Sequence, residues 1–235
     1  MLPERLDHLP VDDPKARRAR RDLRRVHRAM RSLSIVQHAV SDLRLTTPPR
    51  RILELGAGDG SLLLRLARSK CADWPGVELT LLDRQDLLSS TMSAQFAELG
   101  WKAKPLCADA IEWAQSASSE RYDLCLTTLF LHHFQTEALA ILLAAVAVRA
   151  RAFIACEPCR NRISRIGSHL LWFLGVNDVT REDGITSVAA GFAAHELTQL
   201  WPPGASWQVK EYFAWPFTHC FVTRRLDKSL GDDAR

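Results

Sequence analysis

The sequence predicts an α/β fold in which crossover helices flank a parallel β-sheet. From Arg51 onward, short apolar runs of strand length alternate with segments of helical periodicity. The first apolar run leads into the glycine-rich stretch "RILELGAGDG", where the chain can turn sharply. Near the C-terminus two strand-like runs are joined at a turn, which predicts an antiparallel hairpin at the end of the sheet.

Length and composition favour one α/β domain with an appendage. The 235 residues can bury a sizeable core, and 47% hydrophobic with 25% charged residues is ordinary for a globular protein. The N-terminus lacks the apolar stretch of a secretory signal, and the longest apolar run, Ala138 to Val148, is too short to span a bilayer. We therefore expect a cytoplasmic protein with no membrane span.

Residues 1–47 are predicted to form a helical extension that serves as a lid or packing element. A helical pattern runs from about Pro14 to Leu43 and ends before Pro48 and Pro49, which cannot continue a helix.

This extension carries much of the positive charge of the chain, whose net charge is +4. Nine basic residues lie between Lys15 and Arg31, against Asp22 alone, which could indicate an arm that binds nucleic acid. Apolar residues at near-helical spacing form a stripe opposite the arginines: Leu23, Val26, Met30, Leu33 and Val40. A disordered arm needs no such stripe, so we favour an amphipathic helix with a solvated basic face.

Residues 48–235 are predicted to form the main domain. Its parallel strands are expected at Arg51–Leu55, Val77–Leu82, Lys102–Cys107, Tyr122–Thr128 and Ala150–Cys156. The intervening helices are expected near Gly60–Lys70, Leu87–Leu99, Ala110–Ser116 and Thr136–Val148.

The regular alternation stops after the fifth predicted strand. Residues 158–204 contain two helical patterns, around "IGSHLLWFLG" and "AAGFAAHELTQLW", and we interpret them as an insertion that covers the substrate. The following stretch, "SWQVKEYFAWPFTHCFVTRRL", predicts the terminal hairpin with its turn near Trp215 and Pro216.

The glycine-rich loop is typical of a ligand site at a helix N-terminus, but its pattern excludes the common phosphate binders. Gly56, Gly58 and Gly60 follow a strand and precede a helix. A dinucleotide fingerprint would have glycine where Ser61 stands, and no Gly-Lys-Ser/Thr sequence follows. Pyrophosphate is therefore not the expected ligand.

Three acidic residues lie at or near the ends of successive predicted strands. Asp83 ends the second strand, where a carboxylate can accept hydrogen bonds from both ribose hydroxyls. Asp109, just after the third strand, can accept from an exocyclic amine such as that of adenine. Glu54 adds negative charge before the glycines. This set suits a nucleoside that carries positive charge, although the acids could instead only cap helices.

Four stretches in this order, "ILELGAGDG", "LTLLDRQ", "CADA" and "YDLCLTTLFLHHF", resemble the motifs of class I S-adenosylmethionine-dependent methyltransferases. The resemblance covers about residues 51–156, and the combination is far more specific than any single motif. It implies a Rossmann-like seven-stranded sheet with a terminal antiparallel hairpin, and S-adenosylmethionine as cofactor. It also implies that the glycines surround the methionine moiety, Asp83 holds the ribose, Arg84 flanks the adenine, and Asp109 with Ala110 reads the adenine edge. The cofactor-binding set predicted from the residues and the resemblance together is Glu54, Gly56, Gly58, Gly60, Asp83, Arg84, Asp109, Ala110 and Thr128.

Two further stretches suggest the class of acceptor. "PERLDHLPVDDPKARRARRDLRRVHRAM" and "NDVTREDGITSVAAGFAAHEL" are similar to small-molecule methyltransferases associated with type III polyketide synthases, and "LHHF" is similar to quinone C-methyltransferases. The resemblance implies a phenolic or quinol-like aromatic acceptor and leaves O- and C-methylation open.

Methyl transfer to a phenol with a pKa near 10 needs a base at neutral pH. His132 and His133 follow the fourth predicted strand, where the resemblance places the methyl group, and either one is a candidate base. His195 and His219 have the surroundings of structural residues.

Residues after the fifth predicted strand are candidates for binding the acceptor. Glu157 and Arg160 lie where groups often face the pocket of a doubly wound sheet, although they could also pair with each other. Cys156 and Cys159 form a C-x-x-C without a second ligand pair, so no metal is predicted.

Two other functions remain open at this stage. The basic N-terminal segment could serve an RNA or DNA methyltransferase, although "TTLFLHHF" stands where amino-methylating enzymes have an Asn/Asp-Pro-Pro-Tyr/Phe stretch. The chain could also be a non-catalytic subunit that binds the cofactor. The sequence does not distinguish a monomer from a homodimer.

Overall fold

The computed structural model describes residues 13–161, 187–204 and 206–226. The helices are α1 (Pro14–Ala29), α2 (Ser32–Asp42), α3 (Ser61–Lys70), α4 (Ser90–Glu98), α5 (Ala110–Gln115), α6 (Thr136–Arg149) and α7 (Glu196–Leu200). The strands are β1 (Arg51–Leu55), β2 (Glu78–Asp83), β3 (Lys102–Cys107), β4 (Tyr122–Thr128), β5 (Ala150–Pro158), β6 (Trp207–Ala214) and β7 (Thr218–Arg225).

The strands form one seven-stranded sheet in the order β3-β2-β1-β4-β5-β7-β6. Strands β1 to β5 are parallel, and β7 pairs antiparallel with both β5 and β6. This confirms the predicted α/β sheet with its terminal antiparallel hairpin. The strand order reverses between β1 and β4, so the loops that follow these two strands meet at the carboxyl edge of the sheet, the usual ligand site of this architecture.

The hairpin turn reaches the same edge of the sheet. Thr218 at the start of β7 lies opposite Pro158 at the end of β5. The turn at Trp215 and Pro216 therefore lies on the side of the glycine loop, close to where it was predicted.

Buried apolar side chains cover both faces of the inner part of the sheet, which explains why the inner parallel strands are rich in apolar residues, whereas the edge strand β3 is largely exposed. One face packs against α2, α3 and α4, and the other against α5 and α6. The largest fully buried side chains of the two layers include Trp101, Phe96, Phe153 and Phe221.

The N-terminal helical pattern forms two helices, α1 and α2. Arg31 between α1 and α2 has a left-handed backbone (φ 57°), which ends the first helix and redirects the chain. Helix α2 buries Val36, Ala39 and Val40 in the core. This part of the predicted extension is therefore integral to the packing of the sheet.

Only the ends of the predicted cover, residues 158–204, fall within the described residues. The first helical pattern, "IGSHLLWFLG", lies outside them. The second pattern yields the short helix α7 and an isolated bridge between Cys159 and Phe192. The proposed role of this region as a cover stays a prediction.

No helix in the described ranges combines the length and the apolar character that crossing a bilayer requires.

Candidate functional site

The glycine loop leaves β1 in a backbone conformation that only glycine adopts easily. Gly56 and Gly58 have φ values of 65° and 55°. A Cβ atom on Gly56 would lie 2.3 Å from Cδ2 of Phe130, whereas one on Gly58 would meet no described atom within 4 Å. The loop is therefore packed at Gly56 and open above Gly58, and Gly60 directly precedes α3.

Asp83 lies beside this loop at the end of β2. Its Oδ2 accepts a hydrogen bond from the backbone N–H of Gly58 at 2.9 Å, and its Oδ1 accepts one from Gln85 at 3.1 Å. The carboxylate remains partly exposed. The structure thus brings Asp83 and the glycine loop together, and the role of Asp83 toward a ribose stays a prediction.

Glu54 lies beneath the glycine loop on β1 and is buried. Burial raises the pKa of its carboxyl well above the ordinary range, and the charges of Asp59 and Asp83 raise it further. Its Oε2 atom has no hydrogen-bond partner among the described residues. The sequence suggested that Glu54 contributes negative charge, but in the protein without ligand the environment favours the neutral acid.

Asp109 caps helix α5. Its Oδ1 accepts hydrogen bonds from the backbone N–H of Ile111 and Glu112, at 2.7 and 3.3 Å, and its Oδ2 accepts two from Arg84. Partial burial opposes ionisation, but these bonds outweigh it and lower the pKa of Asp109. The helix-capping alternative thus holds for Asp109, and the predicted adenine contacts of Asp109, Arg84 and the buried Ala110 remain untested.

The predicted histidines lie in a single helical turn after β4. His132 is 3% exposed, and its Nδ1 lies 2.8 Å from Oε2 of Glu157. His133 is less buried and stacks on His132 with ring centroids 4.4 Å apart. The turn follows Thr128, the buried last residue of β4, and Leu129, whose φ is 54°. The left-handed backbone at Leu129 directs the chain across the end of β5.

Both residues predicted to bind the acceptor have partners within the protein, and their contacts with an acceptor stay a prediction. Glu157 is fully buried, and besides His132 it accepts hydrogen bonds from the backbone N–H groups of Phe130 and Leu131 at 3.0 to 3.1 Å. It therefore braces the turn after β4 from below. Arg160 is exposed and pairs with Glu196, not with Glu157.

A second buried imidazole–carboxylate pair, which the sequence analysis missed, lies in the terminal hairpin. Nε2 of His219 is 2.7 Å from Oε1 of Glu211. The two oxygens of the Glu211 carboxylate also accept hydrogen bonds from the backbone N–H groups of Leu197 and Thr198, at the start of α7. His219 lies opposite Glu157 in the pairing of β5 with β7. The alternation of side chains along the hairpin strands could have predicted that His219 and Glu211 share one face of the sheet. No sequence signal indicates that backbone N–H groups of α7 donate to Glu211.

Helix α1 contacts the loops of the candidate cofactor site. Arg20 donates to Oε1 of Gln85 at 2.8 Å, and Arg24 donates to Oδ2 of Asp59 at 3.1 Å. Asp59 belongs to the glycine loop, and Gln85 follows Asp83. Two arginines of the basic segment thus bind this protein's own loops, which weakens the interpretation of α1 as a nucleic-acid arm.

Among the residues that the structure describes, no group of three or more His, Cys, Asp or Glu side chains is arranged to hold a metal ion. Cys156 of the C-x-x-C lies beside Cys220, with the two sulfur atoms 3.8 Å apart.

No protein-family model matches the chain, and a search of curated proteins finds no match. Solved structures are similar over most of its length. The plantazolicin methyltransferase BpumL, in complex with a monoazolic desmethylPZN analog and SAH, has 18% identity and a TM-score of 0.64, covering 91% of each chain. BamL, in complex with a triazolic analog and SAH, has 15% identity and a TM-score of 0.63, covering 90% of this chain and 91% of that one.

An O-methyltransferase family protein from Burkholderia thailandensis is similar over 94% of this chain and 61% of its own, with 14% identity and a TM-score of 0.59. Identities this low establish the fold alone. The chain has the seven-stranded α/β fold of these methyltransferases.

Proposed function

We propose that this protein is an S-adenosylmethionine-dependent methyltransferase that acts on a small aromatic acceptor, phenolic or quinol-like. The observation that carries the proposal is the cradle at the reversal of strand order. It is formed by the glycine loop, Asp83 and the Oε2 atom of Glu54, which has no hydrogen-bond partner in the part of the chain that the structure describes. The fold shared with methyltransferase structures, two of them in complex with SAH, supports it.

The residues present fit this cofactor. The space above Gly58 allows a ligand to approach the backbone closely, and Asp83 offers carboxylate oxygens beside it. Glu54 is a buried acid whose pKa is raised, so a nearby cationic group would favour its charged form. A sulfonium or ammonium group satisfies this requirement, whereas a phosphate does not.

S-adenosylmethionine, when bound, supplies an activated methyl group that passes to a nucleophile of the acceptor. The protein's own contribution is to hold the acceptor in line and to remove its proton. His132 and His133 at the end of β4 are the candidate bases, since both lie in the loop that borders the glycine loop. Phe130 packs between these two loops and contacts Gly56.

The acceptor class is proposed from two sources. The sequence resembles methyltransferases associated with type III polyketide synthases, which implies a phenolic ring, and neighbours of known structure contain natural-product analogs. We also propose that the enzyme is cytoplasmic, that it belongs to secondary metabolism, and that it is a monomer or a homodimer.

The donor site is tested by isothermal titration calorimetry with S-adenosylmethionine and S-adenosylhomocysteine. We expect Asp83→Ala to weaken binding of both at least about tenfold, because a charge-assisted hydrogen bond contributes roughly 1.5–3 kcal/mol. The matched control is Asp86→Ala, which removes an exposed carboxylate from the same loop. Equal affinities of the Asp83 and Asp86 variants would show that the donor does not bind at Asp83.

The acceptor class is tested by incubation of the protein and labelled donor with resorcinols, quinols, amines and RNA. Methylated resorcinols or quinols are the expected products. Methylation of RNA alone, together with salt-sensitive retention on heparin, would favour the nucleic-acid function. Donor binding without any methylated product would favour a non-catalytic subunit.

A further inference from the structure

The buried Glu157 carboxylate organises the turn that carries both candidate bases. It accepts hydrogen bonds from the backbone N–H groups of Phe130 and Leu131 and lies 2.8 Å from Nδ1 of His132. Glu157 is 0% exposed and His132 is 3% exposed, so solvent competes little for these bonds. One side chain of β5 thus fixes three consecutive residues of the turn.

The bond to Glu157 determines which nitrogen of His132 carries hydrogen. An ionised carboxylate only accepts hydrogen bonds, so the hydrogen between the two groups belongs to Nδ1. In the neutral ring the lone pair is then on Nε2, the nitrogen remote from Glu157. His133 stacks on this ring, and the structure gives its ring no contact with Glu157 comparable to that of His132.

We propose that Glu157 is a positioning residue that selects His132 as the base: it holds the Nδ1–H tautomer and the ring orientation in which Nε2 accepts the hydroxyl proton of the acceptor. The proposal rests on the proposed methyltransferase function. The proton passes from the acceptor oxygen to Nε2, Glu157 stabilises the resulting imidazolium, and the imidazolium returns the proton to water when the product leaves.

The same carboxylate also connects the base to the cofactor loop. Phe130, whose N–H donates to Glu157, packs its ring against Gly56 closely enough that a Cβ there would lie 2.3 Å from it. Displacement of the turn would therefore move the base and the wall of the glycine loop together.

Several titratable groups surround His132 and enter its pH dependence. Glu157 lies on β5, His133 stacks from the same turn, and His219 on β7 lies opposite Glu157 and binds Glu211 of β6. Of these, Glu157 is the acid in direct contact with the His132 ring. Its charge stabilises the imidazolium, so its removal moves the acidic limb of the kcat profile to lower pH.

The test uses Glu157→Gln in the full-length chain, with Glu211→Gln as the matched control. Glu211 makes an equivalent buried bond to His219 and also accepts backbone N–H groups, so the control removes a similar structural interaction away from the turn. We expect Glu157→Gln to lower kcat at least about 100-fold, with donor affinity within about threefold, and to shift the acidic limb. Glu211→Gln should change kcat less than about threefold. Similar losses of kcat in both variants would refute the positioning role.

A second measurement remains informative if Glu157→Gln fails to fold. Nitrogen-15 NMR of the imidazole groups in the wild-type protein should show His132 with hydrogen on Nδ1, and His219 with hydrogen on Nε2. A His132 ring with hydrogen on Nε2 alone would overturn the inference whether or not an acceptor is known. Absence of donor binding in calorimetry would instead overturn the proposed function and leave the tautomer result standing.

Discussion

Glu54 is a buried acid placed directly before the glycine loop. Its 2% exposure and the neighbouring charges of Asp59 and Asp83 make its ionised form costly in the protein without ligand. Such a residue lowers stability at neutral pH, and a cationic ligand would offset that cost. We therefore interpret the position of Glu54 beneath an open loop as an adaptation for ligand binding, since folding alone would favour an apolar residue there.

We predict that Glu54→Gln stabilises the protein without ligand at pH 7 to 8. The folded pKa of Glu54 is raised, so the folded state holds its proton more tightly than the unfolded chain, and stability falls as pH rises above about 4.3. The neutral amide does not have this penalty. Thermal unfolding should show a gain of about 3–6 °C, corresponding to about 1–2 kcal/mol, that shrinks as the pH approaches 4. Exposed Glu98→Gln is the control, and a gain that persists at pH 4 would contradict the explanation.

Asp109 and Glu157 show that a residue selected from its position in the sequence can have partners that the sequence does not reveal. Both were predicted as ligand-binding acids from their positions after strands. In the structure Asp109 caps α5 and binds Arg84, and Glu157 braces the turn after β4. A position at a strand end can be predicted from local pattern, but the hydrogen-bond partner depends on which loops the strand order brings together.

At the scale of elements, α1 and α2 serve different purposes. Helix α2 places Val36 and Ala39, both fully buried, in the core layer beside α3. The described side chains of α1 are not part of the apolar cluster of that layer, and α1 instead reaches Asp59 and Gln85 at the edge of the candidate cofactor site. These contacts make α1 the candidate for the predicted lid, a role that stays a prediction, while α2 is part of the packed domain.

We predict that the double variant Arg20→Gln and Arg24→Gln releases bound S-adenosylhomocysteine faster than the wild type. Each surface contact contributes roughly 0.2–1 kcal/mol, so loss of both should raise the dissociation rate, measured by stopped-flow fluorescence, by about 2- to 30-fold. The melting temperature should change little, because α1 adds few core contacts. The double variant Arg21→Gln and Arg28→Gln, at two exposed positions of the same helix, is the charge-matched control. A dissociation rate equal to that of the control would exclude the lid role of α1.

At the scale of the whole molecule, the strand order assembles a site from distant parts of the sequence. The glycine loop after β1, Asp83 after β2 and the turn after β4 meet because β1 lies between β2 and β4. The buried pair of His219 and Glu211 lies on the strands of the terminal hairpin and is not part of these loops. Ligand binding at this edge should therefore stabilise the entire domain.

We predict that S-adenosylhomocysteine raises the melting temperature of the wild-type protein. At a ligand concentration 100 times Kd, binding to the native state adds about 2.7 kcal/mol, which corresponds to about 5–10 °C for a domain of this size. Differential scanning calorimetry at a series of S-adenosylhomocysteine concentrations measures how the melting temperature depends on ligand concentration. ATP is the control ligand, because the loop lacks the patterns that bind pyrophosphate. Equal shifts with ATP and S-adenosylhomocysteine would indicate a different ligand class.

The parallel sheet could be predicted from sequence because its signals are local. The bounds of β1, β3 and β4 are those predicted, and β2 differs by one residue at each end. Strands β1, β2 and β4 are short runs rich in apolar residues, and such patterns report on burial directly, whereas the edge strand β3 is largely exposed. The break at Arg31 could not be predicted, because the apolar stripe continues across it and only packing against the sheet decides where the helix bends.

The sequence by itself determined the α/β sheet, the terminal hairpin, and the presence of a glycine loop with acids and histidines at strand ends. Only the tertiary structure decided that Glu157 binds His132, that α1 rests on the glycine loop, and that Glu54 lacks a partner among the described residues. The physical reason is range, because backbone preference and burial periodicity act over only a few residues. The contacts of Glu157 and of α1 join residues 25 and 35 apart in the chain, and Glu54 is buried on a strand that pairs it with Leu126, 72 residues away (126 minus 54).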